Sequence, residues 1–413
     1  MQATLCGDWK RPFYILWGGQ ALSMVGSALV QFALVWWLAQ TTKSATILAL
    51  AALFAQLPMI FLGPVAGVVA DRWSRRLVMI ASDCIVAFIT LLLALLWAIG
   101  SVQVWHIYSV LLIRAAAGAF QFPAMQASTS LMVPNEQLSR IAGYNQTLQG
   151  ALSMASPPLG ALLLTVLPLQ GVLAIDVATA CFGILPLLFI MIPQPPEATA
   201  EQSGRSRSSF WDEMGDGVRY LRAWPGLVGV LFIAMLVNFV FSPASALWPI
   251  WVIQYFKGGA FHLALLESAS GIGIIAGGVA LSIWGGCRRR ILTALAGVVG
   301  LGLGLLLTGL TSADAFPLAV VCVFFIAAMI PIIDGPIMAI VQSTVDPALQ
   351  GRVFSLILSL SAAIAPLGLI AAGPASDLLG VRAWYAAGGL LCVLLGVAAF
   401  FRPAIVHIED QHA

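Results

Sequence analysis

Twelve apolar segments, each long enough to cross a lipid bilayer, account for most of this chain. A transmembrane α-helix needs about 20 mostly apolar residues. Hydrophobic residues make up 61% of the 413 residues and charged residues 9%, whereas about 25% of the residues in an ordinary soluble domain are charged. The sequence therefore predicts an all-α membrane protein with spans at about 13–39, 45–70, 77–98, 106–132, 141–167, 171–192, 225–255, 262–286, 291–310, 316–343, 353–378 and 383–401.

Basic residues are distributed unevenly between the two sides of these spans. If both termini are cytoplasmic, the inner connections hold fifteen of the 19 Lys and Arg residues, and the outer connections hold Lys43, Lys257 and Arg382. Cytoplasmic loops of membrane proteins carry an excess of Lys and Arg. The distribution therefore predicts a multi-pass protein with both termini cytoplasmic.

The two halves of the chain carry matching motifs. The tripeptide that begins at Pro123 is matched at Pro336, and Pro134 is matched by Pro347, both at an offset of 213 residues. Equal offsets at separate places indicate a six-plus-six duplication. We therefore expect two pseudo-symmetric six-helix bundles, an arrangement that usually forms a transporter with its cargo near the membrane midplane.

One long polar connection separates the predicted bundles. This connection, residues 193–224, is predicted to be a cytoplasmic linker. The first bundle then comprises residues 1–192 and the second comprises residues 225–413. The linker begins with three prolines and continues rich in Glu and Ser, so we expect a flexible tether or a wholly disordered stretch there. Its second part predicts a short amphipathic helix on the membrane surface, with one apolar face formed by Phe210, Met214, Val218 and Leu221.

Motifs of several other protein classes are missing from the sequence. None of the three Lys residues stands in a P-loop, so ATP hydrolysis through that motif is excluded. The six Cys residues form no C-x-x-C pair and are interpreted as small apolar residues. A net charge of +2 without a basic and aromatic cluster argues against nucleic-acid binding, and residues 1–11 lack the apolar core of a signal peptide. We therefore expect no enzyme activity, no cofactor and no metal site.

A charged stretch, residues 67–76, joins the second and third spans through a tight turn. Its pattern resembles the G-x-x-x-D-R-x-G-R-R signature of the major facilitator superfamily, with Ser74 in place of the second Gly. The alternative is that its Arg residues merely hold a cytoplasmic loop at the membrane surface. The resemblance implies the major facilitator fold and a conformational switch formed by Gly67, Asp71, Arg72, Arg75 and Arg76.

Ionisable residues inside the spans are rare. Arg114 lies eight residues into the fourth span, where an unpaired Arg costs at least about 2.5–3.5 kcal/mol, so it needs a partner or a cavity. Asp176 is a candidate partner, with an Asp that reaches interfacial water as the alternative. Asp334, in the tenth span, suits reversible protonation, with a solvated cavity wall or a helix cap as the alternative. Asp83 and Glu267 are nearer the ends of their spans and are interpreted as structural.

Two further stretches resemble motifs of the superfamily. Arg114 and Gly118 match its R-x-x-x-G motif, so the resemblance implies that Arg114 takes part in proton coupling. The alternative is a structural Arg that donates hydrogen bonds to backbone carbonyl groups. Asp176 and Asp334 are then the candidate acids. The stretch from Gly373 through Asp377 copies the spacing of the switch but is predicted outside, where it resembles an outer-loop pattern.

The whole chain also resembles the bacterial macrolide-efflux proteins. The resemblance runs through residues 13–21, 134–144, 174–177 and 351–356. It implies proton-coupled export of a bulky, mostly apolar, cationic drug. We expect a monomer in the bacterial inner membrane, with membrane lipids as its other partners. Because the first, fourth, seventh and tenth helices line the cavity in this superfamily, the candidate cavity residues are Gln20, Gln31, Phe120, Phe122, Phe239, Trp248 and Phe324.

Other functions stay open at this point. Exporters of siderophores and other metabolites share much of the same pattern. A membrane sensor or scaffold that transports nothing, or the membrane subunit of an ATP-driven pump, is also compatible with a six-plus-six repeat. The charged stretch 67–76 and Arg114 favour the exporter.

Overall fold

Long helices account for nearly all of the structure. The computed structural model describes residues 9–190, 192, 224–345, 357 and 359–409, and these ranges contain no β-strand. The predicted all-α membrane fold is confirmed. The long helices in the described ranges are α1 (Lys10–Thr42), α2 (Ala45–Arg72), α3 (Arg75–Ala98), α4 (Val104–Met132), α5 (Leu138–Val166), α6 (Leu169–Phe189), α7 (Pro225–Ala246), α8 (Ala260–Trp284), α9 (Arg290–Leu310), α10 (Phe316–Thr344), α11 (Ala365–Leu379) and α12 (Val381–Phe400).

These helices correspond one to one with the predicted spans. In the described part of the chain, 11 helical segments are long and apolar enough to cross a membrane, and each coincides with one of these helices. The segment at α11 begins before that helix, at Ser359. The remaining helix, α5, has 29 residues and is therefore longer than the roughly 20 residues that a span requires. Its first half carries several Asn, Gln, Ser and Thr side chains, which lower its mean hydropathy.

The chain divides into two compact units. The first unit comprises Met1–Thr41 and Leu50–Ala200, and the second comprises Thr42–Ala49 and Glu201–Ala413. The division crosses α2, because the first turn of this helix groups with the second unit. The predicted tether and amphipathic helix at 193–223 lie outside the described residues, so the linker and its boundaries stay predictions.

In the first unit, α3 packs against both α4 and α6. Two glycines seven residues apart bring α1 against α6: a Cβ atom on Gly19 would overlap the carbonyl oxygen of Phe182, and one on Gly26 would overlap the Thr179 hydroxyl. Small residues allow such close approach between membrane helices. The four helices share an apolar core near the start of α3 that includes Phe13, Leu16, Val78, Met79, Ala124 and Leu187.

In the second unit, α9 packs against α10 and α12, and α8 packs against α10. Gly273 and Gly277 stand one turn apart on α8 at the contact with α10. A Cβ atom on Gly273 would overlap the carbonyl oxygen of Phe324, and one on Gly277 would overlap that of Ala328. The small-x-x-x-small spacing therefore lets the backbones of α8 and α10 approach closely.

The structure differs from the prediction at the end of α7. The sequence predicts one span to residue 255, but α7 ends at Ala246 and continues as a three-residue helix, Trp248–Ile250, and a π-helical turn, Trp251–Tyr255. Pro249 has no backbone N–H group, so it interrupts the regular hydrogen-bond ladder. Short π-helical turns accommodate such interruptions.

The internal repeat recurs in the contacts within each unit. Arg75 donates a hydrogen bond to the carbonyl oxygen of Ala127 at 3.1 Å, and Arg290 donates one to that of Ala339 at 3.2 Å. In both units, an Arg at the start of the third helix thus bonds to the last part of the fourth. The sequence offset pairs Arg290 with Arg76, so the repeated contact is displaced by one residue.

Candidate functional site

A buried ion pair joins α4 to α6 in the first unit. Arg114 Nη1 and Asp176 Oδ2 are 2.5 Å apart, and the two side chains are 9% and 1% exposed. Thr90 on α3 accepts a hydrogen bond from Arg114 at 2.6 Å and donates one to Asp176 at 3.1 Å. Ser27 on α1 donates to Asp176 Oδ1 at 3.1 Å, and its carbonyl oxygen accepts from Arg114 at 3.4 Å. We call these four residues the arginine cluster.

The arginine cluster meets the requirements of a buried charge pair. Burial of an ion pair is costly unless its geometry is good and the remaining polar atoms are hydrogen-bonded. Here the opposite charges cancel, and both carboxylate oxygens accept hydrogen bonds. The partner that Arg114 requires inside the membrane is therefore Asp176. The sequence left open whether this Asp pairs with Arg114 or reaches interfacial water, and the structure shows the pair.

A second polar cluster surrounds Asp83, which is 3% exposed. Gln20 Nε2 donates to Asp83 Oδ2 at 2.8 Å and to the carbonyl oxygen of Gly183 at 3.2 Å. Gln121 Nε2 donates to Asp83 Oδ1 at 2.7 Å and to Gln20 Oε1 at 2.9 Å. We call Gln20, Asp83, Gln121 and Gly183 the glutamine cluster. Among the described residues, Asp83 has no ion-pair partner, so neutral amides alone bind its carboxyl group.

The two clusters lie two helical turns apart on the same four helices. Every member of the arginine cluster stands seven residues from the member of the glutamine cluster on its own helix, a distance of about 10.5 Å along the axis. On α1 and α3 the glutamine cluster comes first in the chain, and on α4 and α6 it comes second, as adjacent antiparallel helices require. The four pairs are Ser27 with Gln20, Thr90 with Asp83, Arg114 with Gln121, and Asp176 with Gly183.

Sequence reasoning missed most of this arrangement. Arg114 and Asp176 were predicted from the cost of burying charge, whereas Asp83 was interpreted as structural and Gln20 was predicted to line the cavity. Within its unit, Gln20 is 5% exposed and binds Asp83, and its place in the cavity stays a prediction. The available signal was the repeated seven-residue spacing of polar residues in four apolar helices, but reading it requires knowledge of which helices are neighbours.

The charged stretch 67–76 is mostly helical. The turn between α2 and α3 contains only Trp73 and Ser74, in agreement with the predicted tight connection. Arg76 donates from Nε and Nη2 to the carbonyl oxygens of Leu187 and Leu188 in the last turn of α6. Carbonyl groups in a final helical turn lack partners within the helix, so Arg76 caps α6.

Only part of the predicted switch is described at the level of side chains. Arg75 is 8% exposed and bonds to α4, and Arg76 bonds to α6. The side chains of Gly67, Asp71 and Arg72 lie outside the described residues. The switching role predicted for Asp71 is therefore untested.

Asp334 lies in the second unit, apart from the polar clusters of the first. It lines a small cleft between α7, α9 and α10, whose other lining residues are apolar except for Asn238. Asn238 donates to the carbonyl oxygen of Ala234 at 3.0 Å. Among the described residues, Asp334 takes part in no ion pair. The cleft thus presents one carboxyl group and one amide in an apolar setting.

The predicted cavity residues differ in exposure within their own units. Phe122 is 54% exposed, whereas Trp248 is 9% exposed and Gln20 is buried in the glutamine cluster. Gln31 is exposed, and Phe120, Phe239 and Phe324 are half-buried. The side chains available at the surface of a unit are therefore Gln31 and the four Phe residues.

Asp377 caps a helix in the second unit. Its carboxylate accepts hydrogen bonds from the backbone N–H groups of Ala45 at 2.7 Å and Thr46 at 3.0 Å. The hydroxyl groups of Ser44 and Thr46 donate to it at 2.9 and 2.6 Å. The free N–H groups and the positive dipole end of a helix N-terminus favour a carboxylate at this position. Asp377 therefore stabilises the first turn of α2, which belongs to the same unit.

Comparison with known proteins gives the same family at the level of sequence. The sequence model of the Major Facilitator Superfamily matches residues 16–368. Macrolide efflux protein A of Streptococcus pyogenes is 34% identical over 390 residues, which cover 94% of this chain and 95% of the relative. The multidrug efflux pump Tap of Mycolicibacterium fortuitum is 26% identical over 423 residues, which cover 97% and 98%.

Solved structures show the same fold at low sequence identity. A variant of the nucleoside transporter NupG superimposes with a TM-score of 0.73 at 14% identity and covers 96% of this chain and 100% of its own. A bacterial homologue of the iron transporter ferroportin gives a TM-score of 0.69 at 15% identity, with coverage of 94% and 98%. Together with the twelve helices and the sequence matches, this likeness shows that the chain belongs to the Major Facilitator Superfamily and is a relative of the macrolide efflux proteins within it.

Proposed function

We propose that this protein is a secondary exporter that moves macrolide-like drugs out of the cell in exchange for protons. The observation that carries the proposal is the extent of the relation to macrolide efflux protein A, at 34% identity over 94% of the chain. A relation of this extent includes the helices of both units and so covers whatever residues bind the cargo. A multidrug efflux pump is also among the relatives, which supports a drug as the substrate.

The buried charges of the spans support coupling to protons. Ionisable residues within membrane spans are costly and typically mark ion or proton pathways. Arg114, Asp176 and Asp334 are the coupling candidates that sequence and resemblance single out. Arg114 and Asp176 form a hydrogen-bonded pair in the first unit, and Asp334 lines an apolar cleft in the second.

The protein works as a monomer in the bacterial inner membrane, with both termini cytoplasmic. The excess of Lys and Arg in the connections assigned to the cytoplasm supports this orientation. The end of the first unit that carries Arg75 and Arg76 then faces the cytoplasm. Cargo binds in a cavity with Gln31, Phe120, Phe122, Phe239 and Phe324 as candidate wall residues.

The stretch 67–76 controls the conformational change. Arg75 and Arg76 hold the ends of α4 and α6 through backbone carbonyl groups, so this part of the stretch fixes helix ends within the unit. Asp71 supplies the carboxylate for a contact that forms and breaks when the transporter changes state. Asp71→Asn is expected to reduce transport while leaving protein abundance unchanged, and normal transport by this variant would argue against the role.

Accumulation of a radiolabelled macrolide in a bacterial host without its own macrolide pumps tests the proposed function. Energised cells that express the protein should retain several-fold less drug than cells with an empty vector. A protonophore should abolish the difference, because it collapses the proton gradient. Asp314→Asn, in an exposed turn between α9 and α10, serves as a control that removes one carboxylate far from the candidate residues.

Each outcome of this experiment separates one part of the proposal from the others. Equal drug retention in both strains would contradict macrolide export, and the same assay with a labelled siderophore would then test the metabolite alternative. Reduced retention that persists with the protonophore would uphold drug export but contradict proton coupling.

A further inference from the structure

We propose that Asp83 is the residue that takes up and releases the transported proton, and that the Arg114–Asp176 pair beside it keeps its charges throughout. This inference rests on the proton-coupled export proposed above and specifies the carrier. It selects a carboxyl group that the sequence motifs do not mark. The argument comes from the hydrogen-bond capacity of the groups around each carboxyl.

The arginine cluster suits only an ionised Asp176. A guanidinium group has five N–H donors and no acceptor, and it does not lose its proton in proteins. Protonation of Asp176 at Oδ2, the oxygen bound to Arg114, would therefore place an O–H donor against a group that can only donate. It would also leave the Arg114 charge buried without a counter-charge, which is strongly unfavourable. Asp176 is for these reasons a poor proton carrier.

The glutamine cluster suits both states of Asp83. A side-chain amide carries two N–H donors at one end and a carbonyl acceptor at the other. In the arrangement described, Gln20 and Gln121 each direct an N–H group to one carboxylate oxygen. Rotation of the Gln121 amide by half a turn would give up its hydrogen bond to Gln20 Oε1. It would present a carbonyl oxygen to Asp83 instead, which can accept the O–H group of the protonated acid. The cluster can thus bind the acid and its conjugate base.

The full charges near Asp83 do not form a pair with it. Arg114 and Asp176 lie two turns away on α4 and α6 and neutralise one another. Arg76 lies seven residues from Asp83 in the other direction along α3, and its guanidinium is bound to carbonyl groups at the end of α6. Protonation of Asp83 therefore changes the local charge without breaking an ion pair.

The remaining neighbours are neutral. From α1 the facing group is the amide of Gln20, and from α6 it is the carbonyl group of Gly183. The thiols of Cys84 on α3 and Cys181 on α6 are the other titratable groups nearby, and both residues are exposed. No second carboxyl group from these elements shares the proton of Asp83 within the described residues.

Gln121 connects the buried acid to the surface of the unit. Asp83 is 3% exposed, whereas Gln121 is half-buried and the next residue, Phe122, is 54% exposed. Because Gln20 is also buried, Gln121 is the most exposed of the side chains that bind Asp83. A rotation of this amide would serve both proton access and the change of hydrogen-bond partner.

Infrared difference spectroscopy of the purified protein in lipid nanodiscs tests the proton site without any drug. Between pH 5 and pH 8, the wild type should show a carboxyl signal that titrates. Asp83→Asn should lose the Asp83 part of this signal and keep only the part from other buried acids such as Asp334, and Asp314→Asn, the exposed-turn control, should keep all of it. A titrating signal in Asp83→Asn equal to that of the wild type would overturn the proposal.

A second variant keeps the test valid if Asp83→Asn does not fold. Gln121→Leu retains the acid but removes a donor to its ionised form and an acceptor for its protonated form. Because a hydrogen bond to a charged group is about twice as strong as a neutral one, the ionised form loses more. The midpoint of the carboxyl titration should therefore move upward by at least one pH unit, a tenfold change in proton affinity. An unchanged midpoint would show that the Gln121 amide does not govern the acid and would contradict the proposal.

Drug transport in proteoliposomes then connects the proton site to coupling. Asp83→Asn should lose at least 90% of the uphill efflux driven by an imposed pH gradient, while exchange of labelled for unlabelled drug without a gradient continues. If the variant retains wild-type uphill efflux, Asp83 is not the carrier although export stands. If the wild type itself moves no macrolide, the proposed function fails, while the infrared titration still decides whether Asp83 binds a proton.

Discussion

At the scale of single residues, the pair formed by Arg114 and Asp176 should show a large coupling energy for stability. Arg114→Met leaves Asp176 buried without a partner, and breaking a buried pair in this way costs about 3–5 kcal/mol. The double variant Arg114→Met with Asp176→Leu removes both charges, so it should recover most of that loss. Thermal unfolding of the purified variants in detergent measures both effects, with Asp176→Leu completing the cycle.

Transport assays of Arg114 variants distinguish a structural role of this residue from a role in proton coupling. Arg114→Lys keeps the charge but loses the planar fork of donors, so partial uphill efflux is expected, whereas Arg114→Ala should show none. Exchange without a gradient should survive in any variant that folds. Wild-type uphill efflux by Arg114→Ala, or by the double variant, would show that the pair only stabilises the unit.

A site residue could be predicted from the sequence where the properties of its own side chain were sufficient to identify it. A lone Arg in an apolar span must have a partner, so Arg114 was identifiable and Asp176 followed by depth. Asp83 was not identifiable, because its partners are two amides on α1 and α4, 63 and 38 residues away in the chain. Neutral amides in an apolar helix carry little signal until the neighbouring helices are known.

At the scale of helices, adjacent glycines on α8 offer a matched test of close packing. Gly277→Ala should lower the free energy of unfolding by about 1–3 kcal/mol, because its Cβ atom would overlap the backbone of α10 and overpacking costs about that much. A Cβ atom on Gly278 meets nothing within 4 Å, so Gly278→Ala should be neutral or stabilising. Equal unfolding temperatures for the two variants would contradict the described packing of α8 on α10.

The helices themselves could be predicted from hydrophobic length, and their ends less well. The predicted boundary near residue 70 fails because α2 continues to Arg72 and α3 begins at Arg75. Charged residues can occupy the last turns of membrane helices, so the end of an apolar run is not the end of a helix. Pro249 shows the reverse case, where the apolar pattern continues but the regular helix stops at Ala246.

At the scale of the whole molecule, the orientation in the membrane can be tested at the two ends of α9. Cys287 is exposed before this helix, and Asp314 is exposed after it. In a background with the other cysteines replaced, an impermeant thiol reagent should label Asp314→Cys in intact cells. Cys287 should react only after the cells are permeabilised. The opposite pattern would invert the proposed topology.

The overall architecture was the most predictable level. Twelve apolar runs and the equal offsets between halves were sufficient for an all-α fold with an internal repeat. The equal offsets pair Arg290 with Arg76. The contacts within each unit show instead that Arg290 and Arg75 make the equivalent hydrogen bond. A duplicated chain can shift such a contact by one residue, because neighbouring side chains at a helix start reach the same carbonyl groups.

The seven-residue spacing of the two polar clusters also fixes the helical register of the first unit. Two turns of an α-helix take 7.2 residues, so residues seven apart lie almost directly above one another on the same face. If one of the four helices slid by a single turn, about 5.4 Å, both sets of hydrogen bonds would break together and leave charged groups buried. If the sliding helix were α1 or α6, Gly19 and Gly26, which share the spacing, would also lose their fit against α6. The helices α1, α3, α4 and α6 are therefore locked against sliding, and any movement of this unit during transport has to carry them together.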